Sequence, residues 1–262
     1  MPEMKWSYDL ARIAGIKTRV HASFGLLLLW VAFSAYRSTG SGLGALLGVL
    51  FVLLMFGAVL LHELGHALTA RRYGIPTRAI TLYPIGGVAE ILGPPRTPKQ
   101  EIAIAAAGPA VNFVLAALFG SLTLLLPEIG LVSMFVSALA WANLGLGLFN
   151  LLPAFPMDGG RILRAAISKR FGPLRATIYA AGLGKVAAIG LFIYGLTHNP
   201  WLCVIAPVLW FVGDRELKAA HLRSQAGARA YRFEAESLGE TFVMDRDGRI
   251  HRVLSFTDPF KR

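Results

Sequence analysis

The chain has 262 residues, of which 55% are hydrophobic and only 16% charged, with a mean hydropathy of +0.57. Soluble domains run nearer to about 45–50% apolar and about 25% charged, and here the apolar residues come in long blocks. The composition therefore excludes an ordinary soluble domain and predicts an all-α polytopic membrane protein. A single cysteine, Cys203, excludes an intramolecular disulfide and any multi-cysteine metal cluster.

A helix needs roughly 20 mostly apolar residues to cross the hydrocarbon. In chain order the stretches 21–37, 43–70, 99–126, 130–150, 176–198 and 200–213 qualify, the last being short. Ala32-Phe33-Ser34 would pass as a signal-peptide cleavage site. An uncleaved first span gives an even number of crossings, however, which suits the basic tail. All but two of the 26 Lys and Arg residues, Arg37 and Lys185, then fall on one side of the membrane. Basic loops stay cytoplasmic, so both termini are expected there, behind a membrane domain at 1–213 and a short tail at 214–262. The net charge of +11 is thus explained by topology. The tail mixes ten basic with eight acidic residues, so no nucleic-acid role is expected.

Between the second and third spans, residues 79–92 are β-prone and interrupted by Pro84 and Gly86-Gly87. They predict either a strand or hairpin dipping into the cytoplasmic leaflet or an ordinary re-entrant loop. Residues 241–256 flank Asp247-Gly248, a hairpin signal, while 215–236 suggest a charged surface helix. Lys185 lies inside the fifth span, where it either snorkels to the interface or faces a wet cavity.

Ionisable groups inside apolar spans cost roughly 3 kcal/mol or more and are functional candidates by default. The second span carries His62, Glu63 and His66 in its inner half. A helix stacks residues i and i+4 on one face, so both imidazoles converge, as a divalent zinc ion requires. Glu63 lies beside the first histidine, where it reaches the attacking water without occupying the metal. The other reading is a polar cluster that pins helices together. Zinc also needs a third protein ligand. Asp158 follows the fourth span in a segment broken by Pro153 and Pro156 and loosened by Gly159-Gly160. Taken alone, it either reaches the metal or N-caps an amphipathic helix at 160–171.

These residues give the chain its likeness to a known family. His62-Glu63-Leu64-Gly65-His66 and the run from Asn150 to Gly160 (NLLPAFPMDGG) resemble the two motifs of the site-2 proteases, which are intramembrane zinc metalloproteases. Gly108-Pro109-Ala110-Val111-Asn112 is similar to the family's Gly-x-x-x-Asn element, and residues 82–89 to its membrane-associated strand. The likeness runs in order from about His21 to Leu217. It implies that His62, His66 and Asp158 bind one zinc per chain and that Glu63 is catalytic. The form most resembled is the compact prokaryotic one with six spans, which implies a plasma-membrane location. The roughly 50 residues after the last span are too few for the paired CBS domains many members carry, and no PDZ domain interrupts the spans.

The expected reaction is peptide hydrolysis in membrane-anchored regulatory proteins, with Glu63 as general base. A helical substrate must unwind first, because its carbonyls are already hydrogen-bonded. The edge of the 79–92 segment, with Gly86 and Gly87, suits such an extended chain. Asn112 and Asn150 either bind that chain or hold helices together. The competing readings are a transporter whose His, Glu and Asp form an ion pathway, and a catalytically dead membrane binding protein. A transporter has no need of a glutamate directly after the first of two i, i+4 histidines, and the intact residue set argues against a dead relative.

Overall fold

The structure is a computed structural model that describes residues 6–126, 130–238, 241–244 and 250–253. The chain divides into two compact units, residues 1–151 and 152–262.

The first unit is helical around a small sheet. It opens with a hairpin of β1 (Ser7–Ile13) and β2 (Ile16–His21). Ala14 and Gly15 turn it at φ +50° and +82°, the paired positive angles whose twist matches that of hairpin strands. Then come α1 (Ser23–Thr39) and α2 (Gly42–Arg72), with Gly40 in the left-handed conformation ending α1 and the Ser41 hydroxyl accepting from Leu43 N to start α2. The strands β3 (Thr77–Tyr83) and β4 (Gly86–Ile91) precede α3 (Pro98–Leu125) and α4 (Gly130–Asn150). Thr97 caps α3, and Pro98 sits in its first turn, where no N–H is needed.

The sheet is larger than the sequence reading had it. Its order is β1-β2-β3-β4, with β2 parallel to β3 and both outer pairs antiparallel. The all-α expectation is corrected to a mostly helical fold with a four-stranded sheet. Arg12, Lys17 and Arg19, which precede the first expected span, lie on strands whose outward side chains carry the charge. The alternation of Ile16, Thr18 and Val20 with Lys17, Arg19 and His21 was the signal. Ile16 and Ile80 pack with Leu64 and Ala67 of α2, fixing the sheet against the C-terminal half of that helix. Arg71 Nη1 donates to Ala14 O at 2.7 Å and ties the hairpin turn to the same helix end.

The second unit contains the 152–157 loop, α5 (Asp158–Phe171), α6 (Pro173–His198), α7 (Pro200–Leu238) and the strands β5 (Thr241–Met244) and β6 (Ile250–Val253). The predicted tail hairpin is present as the antiparallel β5–β6 pair; its Asp247-Gly248 turn lies outside the described residues. The stretch 200–213 and the charged stretch after it are one continuous helix, where the sequence suggested two elements. No helix-breaking pair separates them, and the change from apolar to charged side chains does not interrupt the backbone ladder.

Among the described residues, α2, α3, α4 and α6 are long and apolar enough to cross a membrane. Their packing is inverted relative to a soluble core. Buried positions are mostly small, including Ala58, Ala67, Ala70, Ala105, Ala176, Ala180, Ala181 and Ala188, while large residues such as Leu118 and Val186 face outward. In lipid, helices associate by close backbone approach and van der Waals contact, which small residues permit.

Candidate metal centre

The two histidines of α2 are buried and their Nε2 atoms stand 3.1 Å apart. Each ring is held from behind. His66 Nδ1 lies 2.7 Å from the Ile104 carbonyl oxygen, and His62 Nδ1 lies 2.5 Å from Asn112 Oδ1. A carbonyl oxygen only accepts, so each Nδ1 is a protonated nitrogen, and in the neutral imidazole each Nε2 then keeps its lone pair. Two lone pairs aimed at one another across 3.1 Å repel, and a cation shared between them turns that repulsion into attraction. The donor set thus fits a metal that takes imidazole nitrogen.

The helix pair is built to reach this geometry. Ile104, Gly108 and Asn112 recur every four residues along one stripe of α3, facing His66 and His62 on α2. The middle position has to be glycine. A Cβ at Gly108 would stand 2.7 Å from His62 Nε2 and closer still to His66 Nε2. Gly65, between the histidines, lets the helices meet; a Cβ there would lie 2.8 Å from the Ala107 carbonyl oxygen.

Glu63 is half-buried, and its side chain passes over β4. A Cβ at Gly87 would come within 2.7 Å of Glu63 Cγ and 3.2 Å of Val59 Cγ1, so the strand's missing side chain makes room for the carboxylate arm. Gly86 begins the strand at φ +138°, a conformation open to glycine. The sequence reading named both glycines for substrate binding, and Gly87 has this second use.

In the second unit, Asp158 is buried and is the first residue of α5; the N-cap position belongs to Met157. The preceding loop is rigidly seated. Phe155 N donates to Ala180 O at 3.1 Å, Met157 N to Ala154 O at 3.0 Å, and the Phe155–Pro156 peptide is cis. Glycines again mark the closest contacts. A Cβ at Gly160 would lie 2.6 Å from Phe155 N, and one at Gly184 would run into Phe155 O.

Asn112 is wholly buried, with its oxygen on His62 and its nitrogen donating to Asn143 Oδ1 at 3.2 Å. Asn150 is half-buried and donates to its own helix at Leu146 O. Asn143 went unremarked in the sequence, although an amide inside an apolar span is itself a signal. Lys185 donates to Asp214 Oδ1 at 2.9 Å and lies over the Trp210 ring at 5.0 Å.

Residues 50–131 and 125–193 match Peptidase family M50. The chain is 36% identical over 227 residues to a zinc metalloprotease, MJ0392, from Methanocaldococcus jannaschii, covering 84% of this chain and 63% of that one. It is 33% identical to stage IV sporulation protein FB of Bacillus subtilis, over 79% of this chain and 69% of that one. It therefore spans about three-fifths of the length of the archaeal relative. Among solved structures, the site-2 protease from Methanocaldococcus jannaschii superposes with a TM-score of 0.62 at 36% identity, covering 81% of this chain and 95% of that one. By the extent of the family match and the identity to its members, the chain belongs to peptidase family M50, the site-2 proteases.

Proposed function

We propose that the protein is a zinc-dependent intramembrane endopeptidase that cuts membrane-anchored proteins in or near their transmembrane segments. The observation that carries this reading is the pair of buried imidazoles whose unprotonated Nε2 atoms converge beside Glu63. The zinc metalloprotease among its relatives supports the choice of metal.

We assign His62, His66 and Asp158 as the donor set for one ion per chain; each is buried and each carries a side chain of a type that binds zinc. When bound, zinc supplies Lewis-acid polarisation of the scissile carbonyl and a lowered pKa for the attacking water. The chain's own residues do the rest. Glu63, held in place over Gly87, takes the proton of the attacking water and hands it to the leaving nitrogen. The buried imidazoles keep their lone pairs forward because Asn112 and Ile104 occupy their other nitrogens.

The substrate is an extended chain. Among the described residues β4 is an outer strand of its sheet, and Glu63 packs over its face at Gly87, so a locally unwound segment added to the strand gains main-chain hydrogen bonds close to the carboxylate. Gly86 and Asn150 are available to the same chain. The topology that suits this arrangement has six spans, α1 and the start of α7 joining the four apolar helices, with both termini in the cytoplasm as the basic loops direct. The membrane portion is 1–213 and the remainder a cytoplasmic tail.

Glu63→Gln tests the assignment. It removes the base while keeping the shape, so the purified variant is expected to retain zinc and lose cleavage of a reconstituted membrane-anchored substrate. Cleavage at the wild-type rate would remove Glu63 from the mechanism.

A further inference from the structure

The two imidazoles are held by unequal means. His66 Nδ1 faces a backbone carbonyl, Ile104 O, which has no alternative orientation. His62 Nδ1 faces a side-chain amide, and an amide's oxygen and nitrogen exchange places by a half-turn about its last torsion. If Asn112 turned its nitrogen to His62, Nδ1 would have to accept. The ring proton would then sit on Nε2, and that atom would be lost as a metal ligand.

What prevents the half-turn lies one helix further away. Asn112 Nδ2 donates to Asn143 Oδ1 at 3.2 Å, and Asn143 Nδ2 donates at 2.9 Å to Leu139 O, one turn back on α4, with Met55 Sδ 3.8 Å away. The Leu139 carbonyl accepts and never donates, so it draws Asn143's nitrogen to itself and leaves Asn143's oxygen for Asn112. Asn112's nitrogen is thereby engaged, and its oxygen is left for His62. Both amides are wholly buried, and a reversed Asn112 would set its oxygen against Asn143 Oδ1, two acceptors with no hydrogen bond between them. Each link decides the next, and the chain of decisions ends at His62 Nε2.

We propose that Asn143 is a positioning residue for the metal centre. Through Asn112, it fixes the tautomer of His62 and so keeps Nε2 available to the zinc; the inference rests on the zinc reading above. Neither asparagine touches the reacting atoms. Hydrogen bonds to the far nitrogen of a metal-binding imidazole set its basicity and orientation, and their loss weakens metal affinity by about 10–100-fold.

The test compares the full-length detergent-purified wild type with Asn143→Leu, Asn112→Asp and the double variant. Zinc affinity is read by chelator competition and ligand geometry by the visible spectrum of the cobalt-substituted protein. Asn143→Leu removes the orienting oxygen at nearly constant volume, and zinc affinity is expected to fall about 10–100-fold with an altered cobalt spectrum. A carboxylate at position 112 only accepts, so it holds His62 Nδ1–H without help from Asn143. Asn112→Asp combined with Asn143→Leu is therefore expected to recover affinity and spectrum toward wild type. Wild-type affinity and spectrum in Asn143→Leu overturn the proposal. Equal loss in the single and double variants, or failure of both to fold, also overturns it by making Asn143 a packing residue. A wild-type chain that takes up no zinc overturns the zinc reading itself, and this inference with it.

Discussion

Two groups of polar side chains lie on the apolar helices, and they are satisfied in opposite ways. On α6 and α7, Lys185 meets Asp214 at 2.9 Å, and Asp214 also receives Lys218 at 3.1 Å. Cation faces anion, and the Trp210 ring adds its face to Lys185, so unlike charges are set against each other. On α2 and α3, like faces like. Two imidazole lone pairs point at each other, their protonated nitrogens secured behind them, and a glycine clears the space alongside. The first arrangement holds two helices together; the second asks for a cation. A polar residue in an apolar helix is therefore informative through its partners more than through its presence.

The contrast is broken most severely at Gly108. Gly108→Ala puts a methyl against both Nε2 atoms, and zinc content after purification is expected to fall to background while the helical circular dichroism persists. Full zinc occupancy in that variant would mean that the space beside the imidazoles is not the metal's.

Gly184→Ala acts on the other unit. Its Cβ meets the Phe155 carbonyl oxygen, backbone that has no rotamer to yield. A loss of about 1–3 kcal/mol is expected by thermal unfolding, with cleavage falling because the loop that carries Asp158 is displaced. Unchanged stability and activity would show that the loop is not seated on α6 by this contact.

Lys185→Met should do much less to the metal. Zinc content and cleavage are expected to match wild type, with a lower unfolding temperature because Asp214 keeps only the exposed Lys218 as its cation. Loss of zinc in Lys185→Met would erase the distinction between the two polar groups.

The smallest effect is expected at the β1–β2 hairpin. The Asp9 carboxyl accepts from Arg19 Nε at 2.7 Å, and that hydrogen bond holds it below the ordinary value of 3.8. A depressed folded-state pKa contributes stability above the unfolded value of about 3.9 that disappears as pH falls through the folded one. Asp9 is largely exposed, so the contribution is small. Asp9→Asn should leave the unfolding temperature nearly unchanged at pH 7 and flatten its decline below about pH 4. An unaltered acid slope would show that the pair is not coupled to folding.

The candidate ligands stand out in the sequence more plainly than the scaffold does. His62, Glu63 and His66 are legible because helix periodicity alone puts two imidazoles on one face, and Asp158 because prolines and glycines surround it. The apolar helices α2, α3, α4 and α6 are legible by length and hydropathy. The β1–β2 hairpin was missed because its charged face was read as a topology signal. The partners of the histidines were hidden for a different reason. Ile104 contributes only a backbone oxygen, which any residue carries, and Asn143 matters through a chain of amide orientations that no spacing rule encodes. The Lys185–Asp214 pair joins residues 29 apart in sequence on consecutive helices, a register fixed by packing.

The most direct test of the central claim is the zinc content of the detergent-purified protein beside His66→Ala and Asp158→Ala. The account predicts about one zinc per chain in the wild type, lost or much weakened in both variants while their helical content is retained. A folded wild type that holds no zinc after reconstitution, or an Asp158→Ala variant that binds it as tightly as wild type, would contradict the metal centre described above.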